Sequence, residues 1–500
     1  QVGYFGKVVP ENGQVIAVDW AYINLAENKK LMLEYDHGAG KVIGIGAYTL
    51  FSMENYHQEH LEMFMNNVMG YMTGEVEGEA HYWDYGKQPV EPFRPQTASY
   101  TPSGGKKWDQ PAWGLRFVHP STDNFFDVAG ERMVIMGSEN GGIDEIWTHP
   151  FMALRDYEVG YRLGAGDTIR WLTDCIDSVE VTPNAFARNY HFEGQTLREV
   201  ITTDIQNPVG AIHYEYTGKE DLDLFIRFHT NMRLMWPYSS KVIGAIRHAW
   251  DENMNAFVFT DKSGDFACMV GADRQPVRQK VGRFTNLSVE GNKLKGSNSK
   301  NFAAGAIAQF RVRPGDNLNI LIGATNQGIE KTTEVYHSYI QDPEDIRRDS
   351  RDYYQDLLKD KMMITSPDPL FNEAYRWAVI GTDRFYVHTP GLGKSLVAGY
   401  ATTARGWGGG HKVSGRPGYA WYFGRDGQWS GFAVDGYGDF EKVRSVLEVY
   451  MKYQDLNGKI YHELTTSGAV HYDASDATPL FVVLAGYYMR DAGDVEFIEE

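Results

Sequence analysis

Cysteine is nearly absent: Cys175 and Cys268 are the two in 500 residues, far apart and outside any C-x-x-C spacing. So few thiols support neither a disulfide scaffold nor a zinc knuckle, and two buried free thiols are expected. Long hydrophobic runs are missing as well, so no membrane-spanning segment is expected. Positive charge is in deficit, with 48 Lys and Arg against 66 Asp and Glu and a net charge of −18. Such a balance repels phosphate backbones and makes nucleic acid an unexpected partner. No signal peptide is visible, and Gln1 opens directly into polar sequence as a processed chain would. A secreted or periplasmic location, on the surface of a bacterium or near it, is therefore expected by inference only.

What is plentiful is aromatic. The chain carries 12 Trp, 31 Tyr and 25 Phe, many of them beside Gly, Asp or Asn. Pyranose C–H faces stack on rings while hydroxyls need short polar partners, so this composition suits sugar recognition, although most of the rings will be core. A length of 500 exceeds what one hydrophobic core usually supports, so several domains are expected.

The first 75 residues read as the tail of an α/β domain. Lys41 to Gly46 (KVIGIG) is a short buried strand by pattern, and Leu61, Phe64, Met65, Val68, Met69 and Met72 fall on one face of an amphipathic helix. The piece resembles the end of glutamine-amidotransferase-like or trehalose-utilisation-like α/β domains. Gly44 and Gly46 invite a dinucleotide-binding reading, but Thr49 stands where the third glycine belongs. Residues 76–111, rich in Gly, Pro, Tyr and Lys, read as a linker. From 112 to 335 the period switches to two, as in Leu222–Phe228, Ala256–Thr260, Ala308–Val312 and Asn317–Ile322, with Pro-Gly, Asn-Gly and Ser-Gly turns between such runs. This predicts a large antiparallel sandwich. Residues 336–365 read as a linker helix centred on Pro343–Leu358, and the segment from 366 onward reads as helical. One helix starts at Asp368-Pro369, one covers Asp439–Tyr453 with Phe440, Val443, Leu447 and Tyr450 inward, and one covers Thr478–Arg490 with Leu480, Val483, Leu484 and Tyr487 inward.

The densest chemistry lies between these helices. Gly418 to Trp429 (GYAWYFGRDGQW) follows Trp407 to His411 (WGGGH). Aromatic rings offer stacking walls, glycines admit close backbone approach, and adjacent Arg425 and Asp426 can grip neighbouring hydroxyls, one donating and the other accepting. A structural Arg–Asp pair bracing a loop is an equal alternative on these residues alone. A second cluster holds His462 and Glu463 (GKIYHEL), with Asp473 and Asp476 following in YDASDATPLF. Asp476 also sits where a helix cap belongs.

These runs together are similar to the C-terminal amylo-α-1,6-glucosidase-type domain of glycogen debranching enzymes and, more distantly, to glucoamylases. The close match covers about 130 residues, and Ser138 to Pro150 (SENGGIDEIWTHP) looks like the opening of the β-supersandwich that precedes that domain. The resemblance implies a multidomain α+β chain: an N-terminal α/β remnant, a large antiparallel β-supersandwich, and the start of an (α/α)6 toroid of six helical hairpins. It implies an exo-acting glycoside hydrolase cleaving terminal, α-glucosidic sugars by two carboxylates with inversion, needing no cofactor or metal. An inverting acid and base would stand roughly 6.5–9.5 Å apart. By resemblance Arg425 and Asp426 bind the terminal sugar, with Trp421, Tyr422, His462, Glu463 and Asp476 as further binding candidates. The two catalytic carboxylates are expected beyond Glu500, Glu463 being a remote candidate for the acid. Glu145, Trp147 and His149 are candidates to touch sugar from the sandwich side, or equally edge-strand residues.

Other chemistries fail on spacing. Gly393-Lys394-Ser395 ends like a phosphate loop, but His388 holds the first glycine position and no buried strand is expected to lead in. Thr466 stands where a zinc-protease second histidine belongs, Asp473 and Asp476 lack a calcium-loop spacing, and no G-x-S-x-G elbow occurs. A toroid phosphorylase, a polysaccharide lyase and a glycan-binding protein of an uptake system remain as alternatives.

Overall fold

The computed structural model describes residues 4–5, 9, 12–18, 30–46, 58–75, 114–164, 166, 168–236, 243–298, 303–400 and 418–499. The WGGGH run at 407–411, Thr49 and the whole of the expected linker at 76–111 lie outside them. The chain divides into two compact units, Gln1–Glu91 with Asp455–Lys459, and Pro92–Gln454 with Ile460–Glu500.

In the first unit, strands Gly13–Val18, Lys30–His37 and Gly40–Ile45 form an antiparallel meander, and helix α1 (Gln58–Thr73) follows. Both pairings are antiparallel, so this is not the parallel crossover of an α/β domain. Val15, Met32 and Leu33 supply its core, while the third strand is only half-buried. On α1 the inward face is Leu61, Phe64, Met65, Val68 and Tyr71; Met69 and Met72, expected inward, are exposed. The Tyr71 hydroxyl donates to Glu34 at 2.6 Å, and that carboxylate also holds Lys41 at 2.5 Å.

The second unit opens with two large antiparallel sheets. Among the described residues, one runs Arg247–Asp251, Ala256–Thr260, Ala267–Ala272, Asn317–Thr325, Val209–Thr217, Gln195–Thr203, Ala185–Phe192, Ile176–Thr182 and Leu115–Val118. The other runs Arg278–Gly282, Ala304–Val312, Leu222–Thr230, Phe151–Leu163, Ile143–Thr148, Met133–Ser138 and Phe125–Ala129. Strands such as Ala256–Thr260 and Asn317–Thr325 are buried along their whole length, because both faces are covered. A charged network lies within this interior. Arg188 and Glu199 are cross-strand partners with N···O 2.5 Å, and Tyr190 and Tyr214 donate to the same carboxylate at 3.2 and 2.9 Å. The remaining Arg188 donors reach the carbonyls of Ser138, Glu139 and Gly142. Buried ions persist when every partner is supplied, as here. Cys268 is buried as expected, and burial pushes its thiol up; Cys175 is only half-buried, and both are free.

Helical structure begins earlier than the expected residue 336. Helix α2 (Gly328–Ile340) lays Val335, Tyr336 and Ile340 on Ala256, Met269 and Leu321 of the first sheet. Gly271 makes room for it: a Cβ there would lie 1.9 Å from the Tyr336 hydroxyl. Helices α3 (Glu344–Asp360) and α4 (Pro369–Asp383) follow, and the Asp368 carboxylate caps α4 through the amides of Leu370 and Phe371. Helices α5 (Gly424–Gly436), α6 (Phe440–Lys452) and α7 (Ala477–Ala492) pack on one another. Val443, Val446, Leu447 and Tyr450 of α6 enter their core. On α7 the buried face is Ala477, Leu484 and Tyr488, with Phe481 packed beside them; Val483 and Tyr487, expected inward, are exposed. The architecture is thus mixed α+β, with a large antiparallel sandwich ahead of helices.

Candidate functional site

The loop GYAWYFGRD and the HE pair meet in a small antiparallel sheet formed by Tyr422–Phe423, Glu463–Leu464 and Val470–His471. Its register pairs Phe423 with Glu463 and Glu463 with His471, so these three side chains share one face. Tyr422, Leu464 and Val470 alternate to the other. This alternation corrects one candidate. Tyr422 is 1% exposed and its hydroxyl donates to the carbonyls of Val387 and Gly393 while accepting from the Thr389 amide. It is a core residue and not a wall of any open site.

Trp421 lies on the Phe423 side, stacked on Phe423 with centroids 5.6 Å apart and flanked by Tyr419 at 6.1 Å. At 3% exposure it is itself covered, and Tyr419 is the open ring. A further ring went unnoticed in the sequence: Trp236, from the sandwich, lies 5.6 Å from Trp421. Nothing in the local pattern around Trp236 marks it, because its neighbour is distant in sequence.

Arg425 and Asp426 occupy the first turn of α5. Gly424 lets that turn approach closely, since a Cβ there would meet the Tyr461 carbonyl at 2.0 Å. Both side chains are exposed, Arg425 by 64%. Asp426 stands near the positive end of the helix dipole and makes no hydrogen bond or ion pair among the described residues. Asp476 is at the N-cap position of α7 but does not cap by its side chain; its Oδ2 faces Arg425 Nε at 3.3 Å instead. The expected capping role is thereby replaced by an ion pair between helix starts.

Glu463 is held from two sides, accepting from Trp421 Nε1 at 3.4 Å and facing His471 Nδ1 at 3.2 Å. His462 Nδ1 lies 2.7 Å from Asp473 Oδ1, and that hydrogen bond holds the exposed Asp473 carboxyl below the usual carboxylate range. Trp421, Arg425, Glu463, His462 and Asp476 are thus gathered around the starts of α5 and α7. The arrangement offers exposed donors and acceptors beside aromatic rings, as polyol recognition requires. Among the described residues no group of three or more His, Cys, Asp or Glu side chains is placed to hold a metal ion.

The sandwich candidates behave differently. Trp147 is buried and donates to Glu145 at 2.9 Å, and Glu145 also pairs with Arg233 at 3.2 Å. His149 is fully buried beside Tyr400 and Thr389, and burial, then the nearby Arg132 and His388, lower it to about 3. These three are structural supports. Gly393–Leu396 is a strand of a hairpin with Tyr386–Thr389, so a short, largely buried strand does lead in, contrary to expectation. It returns antiparallel rather than opening a helix, and Lys394 pairs with Glu131 at 2.6 Å, so no phosphate cradle forms.

Comparison with solved structures places this fold. A bacterial glucoamylase solved with acarbose matches at a TM-score of 0.55 and 12% identity over 79% of this chain and 58% of its own. A human-microbiome protein assigned as a kojibiose phosphorylase matches at 0.53 and 6% over 77% and 57%. The fold is therefore glucoamylase-like, and the chain spans less than three fifths of either structure. No protein-family model matches the sequence, and no curated protein does.

Proposed function

We propose that this chain belongs to an exo-acting glycoside hydrolase that takes the terminal sugar of an α-glucosidic glycan at the starts of α5 and α7. The observation that carries the reading is the exposed neighbours Arg425 and Asp426 in the first turn of α5, with Arg425 paired to Asp476 at the start of α7. Arg425 donates to one sugar hydroxyl and Asp426 accepts from its neighbour, while Tyr419 supplies the open ring. Glu463, already held by Trp421 and His471, orients the ligand rather than transferring a proton. The chemical step uses two carboxylates and inverts, within a helical ring of which α4 to α7 form the opening part, in an exported bacterial protein. The glucoamylase and phosphorylase neighbours support glycosyl chemistry as the class. Incubating the full-length protein with linear and branched α-glucans tests it: release of glucose with inverted configuration is expected, and release of no sugar from any glycan contradicts it.

A phosphorylase is the second reading, favoured by the comparable match to the kojibiose phosphorylase-type structure. Strict dependence of turnover on inorganic phosphate would select it.

A further inference from the structure

A cavity of about 520 Å³ lies away from the site above and shares no residue with it. It is bounded by α3, α4, the segment between them, and the Pro183–Asn184 turn of the sandwich, and it opens to solvent where Lys359, Ile364 and Arg376 are exposed. Its volume falls in the range of small-molecule sites. Three cations line it, Arg351, Lys359 and Arg376, and no carboxylate does, in a chain whose net charge is −18. Arg351 is partly offset, its Nε being 3.0 Å from Asp352. Lys359 and Arg376 make no hydrogen bond or ion pair among the described residues. Leu358, Met363 and Ile364 line the rest with apolar surface.

Cations without partners in a concave site attract an anion, and a guanidinium grips carboxylate or phosphate in two-pronged fashion. An inorganic ion would leave most of the volume and all of the apolar lining unused. We propose that this cavity binds a small organic anion, a carboxylate or phosphate ester on a short carbon skeleton. The charged group sits at Arg376 and Lys359, and the skeleton lies on Leu358 and Ile364. Asn184 closes one side; it is buried and fixed by donating to the Arg347 carbonyl at 3.1 Å. The wall is rigid there, because α3 is anchored by the buried Tyr354 and Leu357.

The test is thermal unfolding of the chain at fixed ionic strength with glucuronate, glucose 6-phosphate, inorganic phosphate or glucose. A rise at least about 2 °C beyond that given by glucose, which controls for the sugar site at α5 and α7, is expected with one of the two sugar anions. Glucuronate acting alone identifies the carboxylate, and glucose 6-phosphate alone the phosphate ester. That excess should vanish in a Lys359→Gln/Arg376→Gln double variant and in Ile364→Trp, which obstructs the apolar wall and keeps the charges. The proposal is overturned by no rise beyond that of glucose with either sugar anion, by inorganic phosphate matching them, or by that excess being retained in both variants.

Discussion

Arg425 Nε lies 3.3 Å from Asp476 Oδ2, joining the first turn of α5 to the start of α7. Both side chains are largely open to solvent, so the pair holds little folding energy. What it does give is a partner that aims the Arg425 guanidinium toward the start of α7.

Asp476→Ala is therefore expected to change stability by less than about 1 kcal/mol. It should weaken binding of a glucose oligomer about tenfold, because Arg425 loses the group that aims it. Calorimetric titration of the variant beside a melting curve checks both halves.

Tyr422→Phe should do the reverse. Its hydroxyl serves two buried carbonyls and one amide, so removal leaves them unsatisfied at a cost of about 1–3 kcal/mol. Sugar affinity should stay within a factor of two or so, since the ring does not reach the open face. Denaturant unfolding and binding, measured together, separate core from wall.

Glu199→Gln leaves Arg188 buried without its counter-charge. A loss of about 3–5 kcal/mol is expected, read as a lower urea midpoint.

Asp435 provides a pH signature. Burial first, then hydrogen bonding with Asp491, pushes its carboxyl up to about 6. The folded state thus keeps a proton that the unfolded chain releases near pH ~4. The stability from that proton is complete below pH ~4 and is lost as the pH climbs through about 6. Asp435→Asn should raise the melting temperature at pH 7 and leave it unchanged near pH ~3.5. An equal gain at both values would contradict this assignment.

Much of the fold was legible because burial imposes a period on the sequence. Leu222–Phe228 and Ala256–Thr260 read as strands and are strands; Asp368 before Pro369 reads as a helix start and caps one. Periodicity fails where a segment is apolar all round. On α7, Val482, Val483 and Leu484 are consecutive, so nothing local says that Leu484 alone points inward. The same holds at Trp421-Tyr422-Phe423, where only cross-strand pairing with Glu463 and Leu464 decides which face each buried ring takes. Arg425 and Asp426 were visible as an adjacent pair between glycines, whereas the Asp476 partnership and the approach of Trp236 depend on contacts between distant segments.

The most direct test compares affinity for a glucose oligomer with melting temperature in wild type and Asp426→Asn. The account predicts that binding falls by ten-fold or more while the melting temperature holds within about 1 °C, because an exposed carboxylate with no partner among the described residues does little for folding. Full affinity retained alongside a large drop in melting temperature would show Asp426 to be a structural brace and remove the sugar site from these two helix starts.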